Sequence, residues 1–466
     1  MPPNHEPAFI RKENAMNALR ITPPEPVQTA LKRLTAAGFS AYIVGGCVRD
    51  ALRGVTPHDW DCTTSARPEQ AAACFPDCHV IETGLQHGTI TVVIGKMPIE
   101  ITTYRIDGSY ADHRRPDSVT FTDRLEDDLA RRDFTVNAMA YHPDRGLIDC
   151  WHGADDLRAG RIACVGNPAD RFEEDGLRIL RAMRFASVLG FTVAPETAAA
   201  IHEKQQLLRH ISAERICTEL TKLLCGQDAE RVLTAFSDVL FTVLPSLAPM
   251  HGFDQRNPHH DYDVWTHTLK TVSAVPPEPV LRWAALLHDA GKPHCFTEDG
   301  RGGHFYGHAD ISDEITQTVL KSLKTDRKTY DRVLLLVRLH DTVWNGTEKQ
   351  LKRTVRKIGA DAAKELLLLH RGDVSAQAAI HRAERIAEAD RLIGMLNTLL
   401  SARAPMSLKD LAVNGGDLLA LGYPQGREIG TCLNTLLDCV MDGSLPNTRD
   451  ALLEAAGKLI PPHTAG

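Results

Sequence analysis

The sequence predicts an α+β protein in which a small α/β head is followed by an extended, all-helical body. A strand-like run at Ala41–Val44 leads into a glycine pair and a helical pattern. Two further β-like runs, Thr89–Ile94 and Ile99–Tyr104, flank a turn over Gly95–Pro98, as in a hairpin. From about Leu129 onward the apolar spacing is almost wholly helical, which places the strands in the first part of the chain.

Length and composition bound the class of protein. The 466 residues suggest about three domains, and 43% hydrophobic with 24% charged residues is typical of a globular chain. There is no apolar run of the ~20 residues that a membrane span needs and no apolar core of a signal peptide, so we expect a cytoplasmic protein. The eleven scattered cysteines favour free thiols. A net charge of −7 argues against unspecific coating of nucleic acid. It does not exclude nucleic-acid binding through a local basic face.

Composition shifts divide the chain. Pro, Gly, Asn and His interrupt the helical pattern near Ser246–His260, and glycine-rich NGGD and GYPQG stretches interrupt it again towards the end. We expect a disordered tail (1–22), the head (23–155), a helical neck (156–245), a histidine-rich helical domain (246–375) and a C-terminal helical region (376–466). Nothing in the sequence indicates an obligatory protein partner.

The first candidate site lies where the first strand meets its helix, in VGGCVRD. Gly45 and Gly46 allow the backbone to approach a phosphate closely, and we expect Arg49, about one helical turn further on, to hold a triphosphate oxygen. Many strand-to-helix turns contain two glycines, so this feature alone is weak. It predicts a phosphate-binding turn only if acidic metal ligands lie nearby.

Two carboxylates follow in HDWDCTTS. On an extended strand, Asp59 and Asp61 would project to the same side, and like charges held so close favour a bound cation. Mg²⁺ prefers a few carboxylates together with phosphate oxygens, which suits in-line attack on a nucleoside triphosphate. Glu100, on the predicted hairpin, either completes this cluster or faces solvent. A pair of exposed loop aspartates is the alternative.

Four motifs in order resemble a known family. They are VGGCVRD, HDWDCTTS, LARRDFTVNAMAY (Leu129–Tyr141) and RFEEDGLRILRAMRFA (Arg171–Ala186). Over about Ala41–Phe191 the chain resembles the bacterial-type tRNA nucleotidyltransferase/poly(A) polymerase family, and most of all the CCA-adding enzymes. The resemblance implies a nucleotidyltransferase head that adds CCA to the 3′ end of tRNA from CTP and ATP with Mg²⁺, without a template.

The fourth motif carries a carboxylate and three arginines at every third position: Asp175, Arg178, Arg181 and Arg184. We expect one helix over Arg171–Val188, and a solvated basic face is the alternative. The resemblance implies that Asp175 and Arg178 present hydrogen-bonding groups to the Watson–Crick edge of the incoming base, while the other two arginines neutralise phosphate. It also implies that Arg132, in the third motif, holds the nucleotide. The neck would then select the base and bind RNA.

A long polar segment, 106–128, separates the second and third motifs. Such a length is unusual in a compact domain and is typical of a mobile, functional loop. In the family a flexible loop here accompanies the switch from C to A addition, so its presence favours complete CCA addition over addition of C alone.

The histidine-rich domain resembles HD-type phosphohydrolases over roughly Asp263–Val374. The proposed ligands are His267, His288, Asp289 and Asp373, with His308 nearby and Asp341 as the competing final carboxylate. A histidine beside an aspartate supplies two ligands to one metal, here Mn²⁺, Co²⁺ or Ni²⁺. A phosphohydrolase acting on damaged RNA 3′ ends would restore the hydroxyl that the head requires.

Two further features bear on RNA. A basic stripe at helical spacing either binds tRNA or is a solvated face: Lys349, Lys352, Arg353, Arg356 and Lys357. Leu411–Gly430 resembles the C-terminal helices of the same enzymes. The rival functions are a poly(A) polymerase, against which the acidic balance counts, and a phosphohydrolase whose head only binds RNA. Intact motif residues in the head, Asp59, Asp61 and Arg132 among them, argue against the second rival.

Overall fold

The computed structural model describes residues 20–85, 88–108, 118–300, 302–402 and 404–459. These residues form two compact units that divide between Pro245 and Ser246. The first unit combines a mixed β-sheet with helices, and the second is almost entirely helical. The predicted α+β class is therefore confirmed. Most of the expected tail and nine residues of the polar segment (109–117) lie outside the described residues.

The first unit contains eleven strands and eleven helices within its described residues, besides short 3₁₀ turns. The strands are β1 (Ala41–Val44), β2 (Asp61–Thr64), β3 (His79–Gly84), β4 (Thr89–Ile94), β5 (Met97–Thr103), β6 (Arg105–Asp107), β7 (Val119–Phe121), β8 (Met139–His142), β9 (Gly146–Asp149), β10 (Arg161–Ile162) and β11 (Thr192–Val193). The helices are α1 (Glu25–Ala36), α2 (Gly46–Leu52), α3 (Pro68–Ala73), α4 (Leu125–Ala130), α5 (Gly153–Ala159), α6 (Pro168–Glu174), α7 (Leu177–Leu189), α8 (Pro195–Lys204), α9 (Ala213–Leu224), α10 (Ala229–Ala235) and α11 (Ser237–Val243).

Seven strands form one sheet, in the order β3-β4-β5-β2-β1-β8-β9. The predicted hairpin is present as β4 and β5, which pair antiparallel around a turn at Gly95. Strand β2 pairs parallel with β5 and antiparallel with β1. This arrangement brings the start of β2 and the middle of β5 side by side at the centre of the sheet.

The expectation that strands end near Leu129 is wrong. Strands β8 and β9 lie beyond it and complete the sheet, β8 pairing with β1. All four residues of β8 are buried, so this short strand lacks the alternation that reveals a half-buried strand in a sequence. By contrast, the amphipathic helix α1 buries its predicted apolar face, including Val27 and Leu34.

The expected single helix over Arg171–Val188 is also wrong. Helix α6 ends at Glu174 and α7 begins at Leu177, so Asp175 lies between them with an extended backbone. The Asp175 carboxylate accepts a hydrogen bond from the backbone N–H of Leu177 at 3.1 Å, which competes with a continuous helix. Next to it, a Cβ at Gly176 would lie 3.0 Å from Leu207 Cβ.

The second unit is a stack of helices with one small hairpin. Its helices are α12 (Val264–Ala274), α13 (Pro279–Leu287), α14 (His308–Ser322), α15 (Arg327–Leu339), α16 (Glu348–Ile358), α17 (Ala360–Ser375), α18 (Ala379–Ser401), α19 (Gly415–Ala420), α20 (Arg427–Met441) and α21 (Arg449–Lys458), and its strands are β12 (Thr297–Asp299) and β13 (Gly302–His304). Helices α12 and α13 bury seven residues each, out of eleven and nine respectively. Among the described helices, none combines the length and apolar character that crossing a bilayer requires.

The basic stripe of α16 is largely engaged within the protein. Lys349 pairs with Asp442 at 2.6 Å, Lys352 donates to the Met441 carbonyl at 3.2 Å, and Arg356 bonds Asp438. These contacts hold α16 against the end of α20. The remaining two cations of the stripe are exposed. The proposed role of the stripe in binding RNA therefore stays a prediction for those two residues.

Candidate functional site

An acidic cluster lies at the centre of the head sheet. Asp61 is the first residue of β2 and is in register with Glu100 on β5. Asp59 lies in the bend before β2 and not on an extended strand as predicted, while the intervening Trp60 is buried. Burial, followed by the charges of Glu100 and Asp59, raises the pKa of Asp61 to about 6. The position of Asp61 beside two further carboxyls would suit a divalent cation bound to Asp59 and Asp61.

The glycine turn requires glycine at position 45 because of close packing as well as backbone conformation. Gly45 has φ +82°, and a Cβ there would lie 3.0 Å from Nη1 of Arg132. Its own N–H donates to the Met139 carbonyl at 3.2 Å, so it is not available to a phosphate. The turn therefore brings Arg132 close to the backbone just before Gly46, where α2 begins.

Arg49 is a supporting residue in this structure. Its Nε and Nη2 atoms both donate to Asp50 at 2.9 Å, and its Nη1 donates to Asn137 Oδ1 at 2.6 Å. The side chain is buried and all of these bonds stay within the head. Arg49 thus ties α2 to the turn that precedes β8, whereas the sequence predicted contact with a triphosphate.

Arg132 has a free donor next to the acidic cluster. Its Nη2 contacts the buried carboxylate of Asp128 at 3.3 Å, but its buried Nε has no hydrogen-bond partner among the described residues. Asp128 also accepts from Arg131 and Thr63, and although burial opposes this, the two arginines hold its pKa below the ordinary range. An unpaired buried N–H beside a cation-binding cluster suits an anionic ligand.

Asp175 and Arg178 are held rigidly in the neck. Two nitrogens of Arg215 donate to the Asp175 carboxylate, at 2.7 and 3.3 Å. Arg178 pairs with Glu174 and donates through Nη2 to the Arg131 carbonyl at 3.0 Å. Both side chains are thus held by neighbours, and their predicted joint role in reading a base stays a prediction.

The other two arginines of the motif are already compensated. Arg181 donates twice to Asp133, at 2.9 and 2.6 Å, and Arg184 lies 2.5 Å from Glu219. Burial alone would raise the pKa of Asp133, but the charge and hydrogen bonds of Arg181 hold it at about 2. Their predicted role in neutralising phosphate stays a prediction, and in this structure both arginines pair with buried carboxylates.

The second unit gathers the predicted metal ligands and adds others. His267 Nε2 lies 3.0 Å from Asp373 Oδ1 and 3.4 Å from Asp289 Oδ2, and His288 Nε2 lies 3.2 Å from Asp289 Oδ2. The two histidine Nε2 atoms and Asp289 Oδ2 are buried and face one another, and Lys292 Nζ lies 2.7 Å from Asp289 Oδ2. Nitrogen and carboxylate ligands converging in this way fit a divalent metal.

The surroundings of this cluster keep its two carboxylates ionised. Despite burial, the hydrogen bond from His267 and its charge hold the pKa of Asp373 well below its ordinary range. The buried Asp289 carboxylate also has a lowered pKa, because His288 and Lys292 outweigh desolvation. Lys292 Nζ is 2.7 Å from Asp289 Oδ2 and lines a cavity of about 320 Å³ together with Asp373.

Sequence reasoning missed two residues here. His340 joins the expected His308 at the cluster, their Nε2 atoms being 3.0 Å apart, whereas Asp341 lines the cavity without entering a ligand group. His260 also lines the cavity, with its ring 5.2 Å from that of His267. The RLHD stretch carried the signal for His340, but attention to its aspartate obscured the histidine.

Comparison with known proteins identifies the family. Residues 41–163 match the poly A polymerase head domain, 190–250 the probable RNA and SrmB-binding site of polymerase A, and 304–456 the putative domain 2 of tRNA nucleotidyltransferase. The CCA-adding enzyme of Levilactobacillus brevis is 33% identical over 92% of this chain and 97% of its own length. That of Latilactobacillus sakei is 35% identical over 91% and 96%. The chain belongs to the CCA-adding enzymes.

Solved structures agree with this membership in the family. The CCA-adding enzyme of Bacillus stearothermophilus in complex with CTP matches with a TM-score of 0.69 and 29% identity, over 94% of this chain and 98% of its own. The Thermotoga maritima CCA-adding enzyme complexed with tRNA shares the fold, with a TM-score of 0.61 and 19% identity over 96% and 98%. These neighbours support a nucleotidyltransferase, and the poly(A) polymerase alternative is less supported.

Proposed function

We propose that this enzyme adds C, C and A to the 3′ end of tRNA from CTP and ATP. The observation that carries the proposal is the acidic cluster at the centre of the sheet, where Asp61 pairs in register with Glu100 beside the unpaired donor of Arg132. The match to CCA-adding enzymes over nearly the whole chain supports it. A tRNA substrate would place the protein in the cytoplasm, without need of a protein partner.

Each residue of the head then has a task. Asp59 and Asp61 would hold Mg²⁺, which supplies charge stabilisation to the triphosphate as pyrophosphate leaves. Glu100 would accept a proton from the attacking 3′-hydroxyl or complete the metal site. Arg132 would bind a phosphate oxygen through its free Nε–H. The glycine turn beside it keeps this guanidinium close to the backbone.

The neck would choose the base. Asp175 offers acceptors and Arg178 offers donors, and together they form a fixed pattern for the Watson–Crick edge of cytosine or adenine. Arg215 and Glu174 position these two side chains from neighbouring segments. Fixed positions matter because a movable pair would accept any of the four bases.

The experiment supplies tRNA lacking its 3′ end with each nucleotide separately. Asp59→Ala and Asp61→Ala should abolish incorporation of both CTP and ATP while tRNA still binds. Asp144→Ala, which removes an exposed carboxylate of the same unit, is the matched control and should retain activity. Substantial turnover of the Asp61→Ala protein with Mg²⁺ would show that the metal site lies elsewhere.

A second activity is favoured by the buried ligand cluster of the second unit. We propose a divalent-metal phosphohydrolase that acts on RNA 3′ ends, with His267, His288, Asp289 and Asp373 as ligands. Lys292, facing the cavity beside Asp289, would hold the phosphate. The convergence of these buried nitrogen and carboxylate oxygen atoms supports this proposal, since a divalent metal can bind them together.

Hydrolysis of 2′,3′-cyclic nucleotide phosphates with Mn²⁺, Co²⁺ or Ni²⁺ tests this second activity. His288→Ala and Asp289→Ala should remove hydrolysis and leave CCA addition nearly unchanged. His294→Ala, an exposed histidine of the same unit, is the control. If the unmodified protein hydrolyses no phosphate ester with any of the three metals, the catalytic part of the proposal fails.

A further inference from the structure

We infer that Tyr306 is a stacking platform for the terminal base of an RNA whose 3′ phosphate lies in the cavity of the second unit. The side chain is 79% exposed, and it lines the cavity of about 320 Å³ that also contains Lys292 and Asp373. Among the residues that the structure describes, no other Phe, Tyr or Trp side chain is mainly exposed. This inference deepens the proposed phosphohydrolase, on which it rests, by naming how the cavity would bind the nucleoside of its substrate.

The ring of Tyr306 is oriented by a neighbouring ring. It stacks on the imidazole of His304, with ring centroids 5.4 Å apart and planes inclined by 15°. His304 is oriented in turn, since its Nε2 lies 3.0 Å from Asp299 Oδ1 across the β12–β13 hairpin. A side chain that is already oriented loses less rotamer freedom when a ligand binds, so the entropic cost of stacking is lowered.

The hairpin is itself anchored to the segment before α12. The Gly303 N–H donates to the Arg256 carbonyl at 2.7 Å, and Asn257 Nδ2 donates to the Gly303 carbonyl at 2.9 Å. A Cβ at Gly303 would lie 2.2 Å from the Gln255 carbonyl oxygen and 2.7 Å from Phe296 Cε2. Glycine at this position therefore lets the hairpin approach the segment closely enough to form both hydrogen bonds.

The same segment positions the ammonium group of the cavity. Gln255 is buried, and its Oε1 accepts a hydrogen bond from Lys292 Nζ at 3.0 Å. Lys292 Nζ also lies 5.3 Å from the centroid of the Phe305 ring, and Phe305 directly precedes Tyr306. One segment thus supports both the cation proposed to hold the phosphate and the hairpin that leads to the stacking ring.

These groups match the parts of a nucleotide at an RNA 3′ end. Lys292 would attract the phosphate, whereas the flat π-surface of an unpaired base binds to aromatic side chains by stacking. His260 lines the cavity as well, and its buried Nδ1 has no hydrogen-bond partner among the described residues, so a ribose hydroxyl would satisfy it. Because stacking accepts every base, the platform would bind RNA 3′ ends regardless of sequence.

Nucleotide binding by the metal-free, full-length chain tests the platform without relying on hydrolysis. The probe is 2-aminopurine riboside 3′-monophosphate, whose fluorescence is quenched when its base stacks on an aromatic ring. Tyr306→Ala should weaken the binding that causes quenching by roughly tenfold to a hundredfold, the range for one lost base–aromatic stack. Any probe bound in the first unit contributes equally to both proteins.

Two kinds of variant serve as controls for this binding. Tyr306→Phe and Tyr306→Trp should retain it, because both keep an aromatic ring at the position. Ile380→Ala removes a similarly exposed apolar side chain of the same unit and should leave probe binding unchanged. Thermal unfolding of every variant checks that lost binding does not reflect a lost fold.

Hydrolysis supplies a second measurement. With a metal that supports the reaction, Tyr306→Ala should raise KM for adenosine 2′,3′-cyclic phosphate by the same factor and leave kcat nearly unchanged. The reason is that stacking on a base remote from the phosphate acts equally in the ground state and the transition state. For methyl riboside 2′,3′-cyclic phosphate, which has the ester but no base, KM should be the same in Tyr306→Ala and the unmodified protein.

Failure of the platform can be told from failure of the phosphohydrolase. Hydrolysis with unchanged KM and probe binding in Tyr306→Ala would overturn the platform alone, and is the result expected if Tyr306 only contacts a protein. An equal rise in KM for the ester without a base would also overturn it, as would absence of quenching in the unmodified protein. Probe binding that depends on Tyr306, without hydrolysis by any of the three metals, would overturn the phosphohydrolase and support the platform as a nucleotide-binding site.

Discussion

At the scale of single residues, the head and neck are organised by buried carboxylates that each hold arginines. Asp128 holds Arg131 and Arg132, and Asp133 holds Arg181. Such pairs stabilise mainly because removing either partner leaves an uncompensated buried charge. Most arginines near the candidate site therefore stabilise the fold through these ion pairs. A donor without a hydrogen-bond partner, such as Arg132 Nε, indicates where a ligand can bind.

The Asp133–Arg181 pair predicts a pH-dependent part of the stability. The pKa of Asp133 is about 2 in the folded protein, against an ordinary value of 3.8. A lowered pKa stabilises the fold at pH values above the unfolded pKa, and the gain is lost as the pH falls through the folded pKa. The contribution is about 2 kcal/mol at neutral pH and declines progressively below about pH 5.

Urea unfolding of the unmodified protein and of Asp133→Asn should show this loss of stability at low pH. The difference in free energy of unfolding between the two proteins should be smaller at pH 3.5 than at pH 7. For Asp144→Asn, where the carboxylate is exposed, the corresponding difference should be small at both values. If the difference in free energy of unfolding between Asp133→Asn and the unmodified protein does not change with pH, Arg181 does not lower the pKa of this carboxyl.

Asp175 gives the sharpest prediction about base choice. If it reads the base edge, Asp175→Ala should relax the selection among CTP, ATP, UTP and GTP by roughly ten- to a hundredfold, as losing one bidentate contact removes about 1–3 kcal/mol. Arg215→Ala should act in the same direction but more weakly, because it frees the carboxylate without removing it. Competing nucleotides on one tRNA measure the selection.

The control for base choice is Arg158→Ala, which removes an arginine of α5 paired with Asp155. It should change neither the rate nor the order of addition. An unchanged preference for C, C and then A in the Asp175→Ala enzyme would contradict the role of this residue as a protein template. Equal loss of rate for all four nucleotides would instead indicate that Asp175 only holds Arg215 in place.

Residue patterns indicate candidate ligands more readily than the residues that support them. Local spacing predicts Asp61 and the His288–Asp289 pair, because the chemistry of a metal limits which residues can serve, and their metal-binding roles stay predictions. The supporting role of Arg49 could not be predicted. Its partner Asn137 is 88 positions away, and the local sequence does not show that the donors of Arg49 are already hydrogen-bonded. His340 was missed although the RLHD stretch contains it, because its distance of 3.0 Å from His308 depends on how α14 and α15 pack.

At the scale of elements, close helix contacts position the base-selecting pair. Helix α9 carries both Arg215 and Glu219, which hold Asp175 and Arg184. Its end approaches α7 closely, where Ser187 Oγ donates to the Leu223 carbonyl at 2.7 Å. Local sequence patterns do not show that the chain breaks at Asp175, or that α9 reaches this carboxylate from a distant segment.

Gly226, just after α9, permits that approach. A Cβ there would lie 2.1 Å from Ser187 Oγ and 2.7 Å from the Ser187 carbonyl carbon. Because backbone atoms cannot yield as a flexible side chain does, Gly226→Ala should destabilise the protein by about 1–3 kcal/mol. It should also loosen the Arg215–Asp175 contact and reduce discrimination between nucleotides. Thermal unfolding and nucleotide competition measure the two effects.

The matched control is Gly394→Ala, within the exposed face of α18. Nothing lies within 4 Å of a Cβ there, so alanine should be neutral or stabilise the helix by about 0.5–1 kcal/mol. If Gly226→Ala were as stable as the unmodified protein, the contact between α9 and α7 would have to be more tolerant than the structure indicates. Discrimination between nucleotides should then also be unchanged.

At the scale of the whole molecule, each proposed site is contained in one compact unit. The acidic cluster and the base-selecting pair belong to the unit before Ser246, and the histidine cluster belongs to the unit after Pro245. The division near this point was expected from the shift to Pro, Gly, Asn and His in the sequence. The family match covers both units. In our proposal, one chain combines nucleotidyl transfer in the first unit with phosphate ester hydrolysis in the second.

Ligands should therefore stabilise the two units separately. A ligand that binds only the folded state adds about 2.7 kcal/mol of stability at a hundred times its dissociation constant. With Mn²⁺ and no nucleotide, hydrogen exchange of the chain carrying Asp59→Ala and Asp61→Ala should slow in α12, which carries His267, in α13, which ends just before His288, and in α17, which carries Asp373. With CTP and Mg²⁺, hydrogen exchange should slow around β2 and α7 instead.

His267→Ala should abolish the protection by Mn²⁺ and preserve the protection by CTP and Mg²⁺. Asp61→Ala should abolish the protection by CTP and Mg²⁺ and preserve the protection by Mn²⁺ in the second unit. Protection of both units by either ligand would contradict separate sites, and would mean that binding in one unit is coupled to stability in the other.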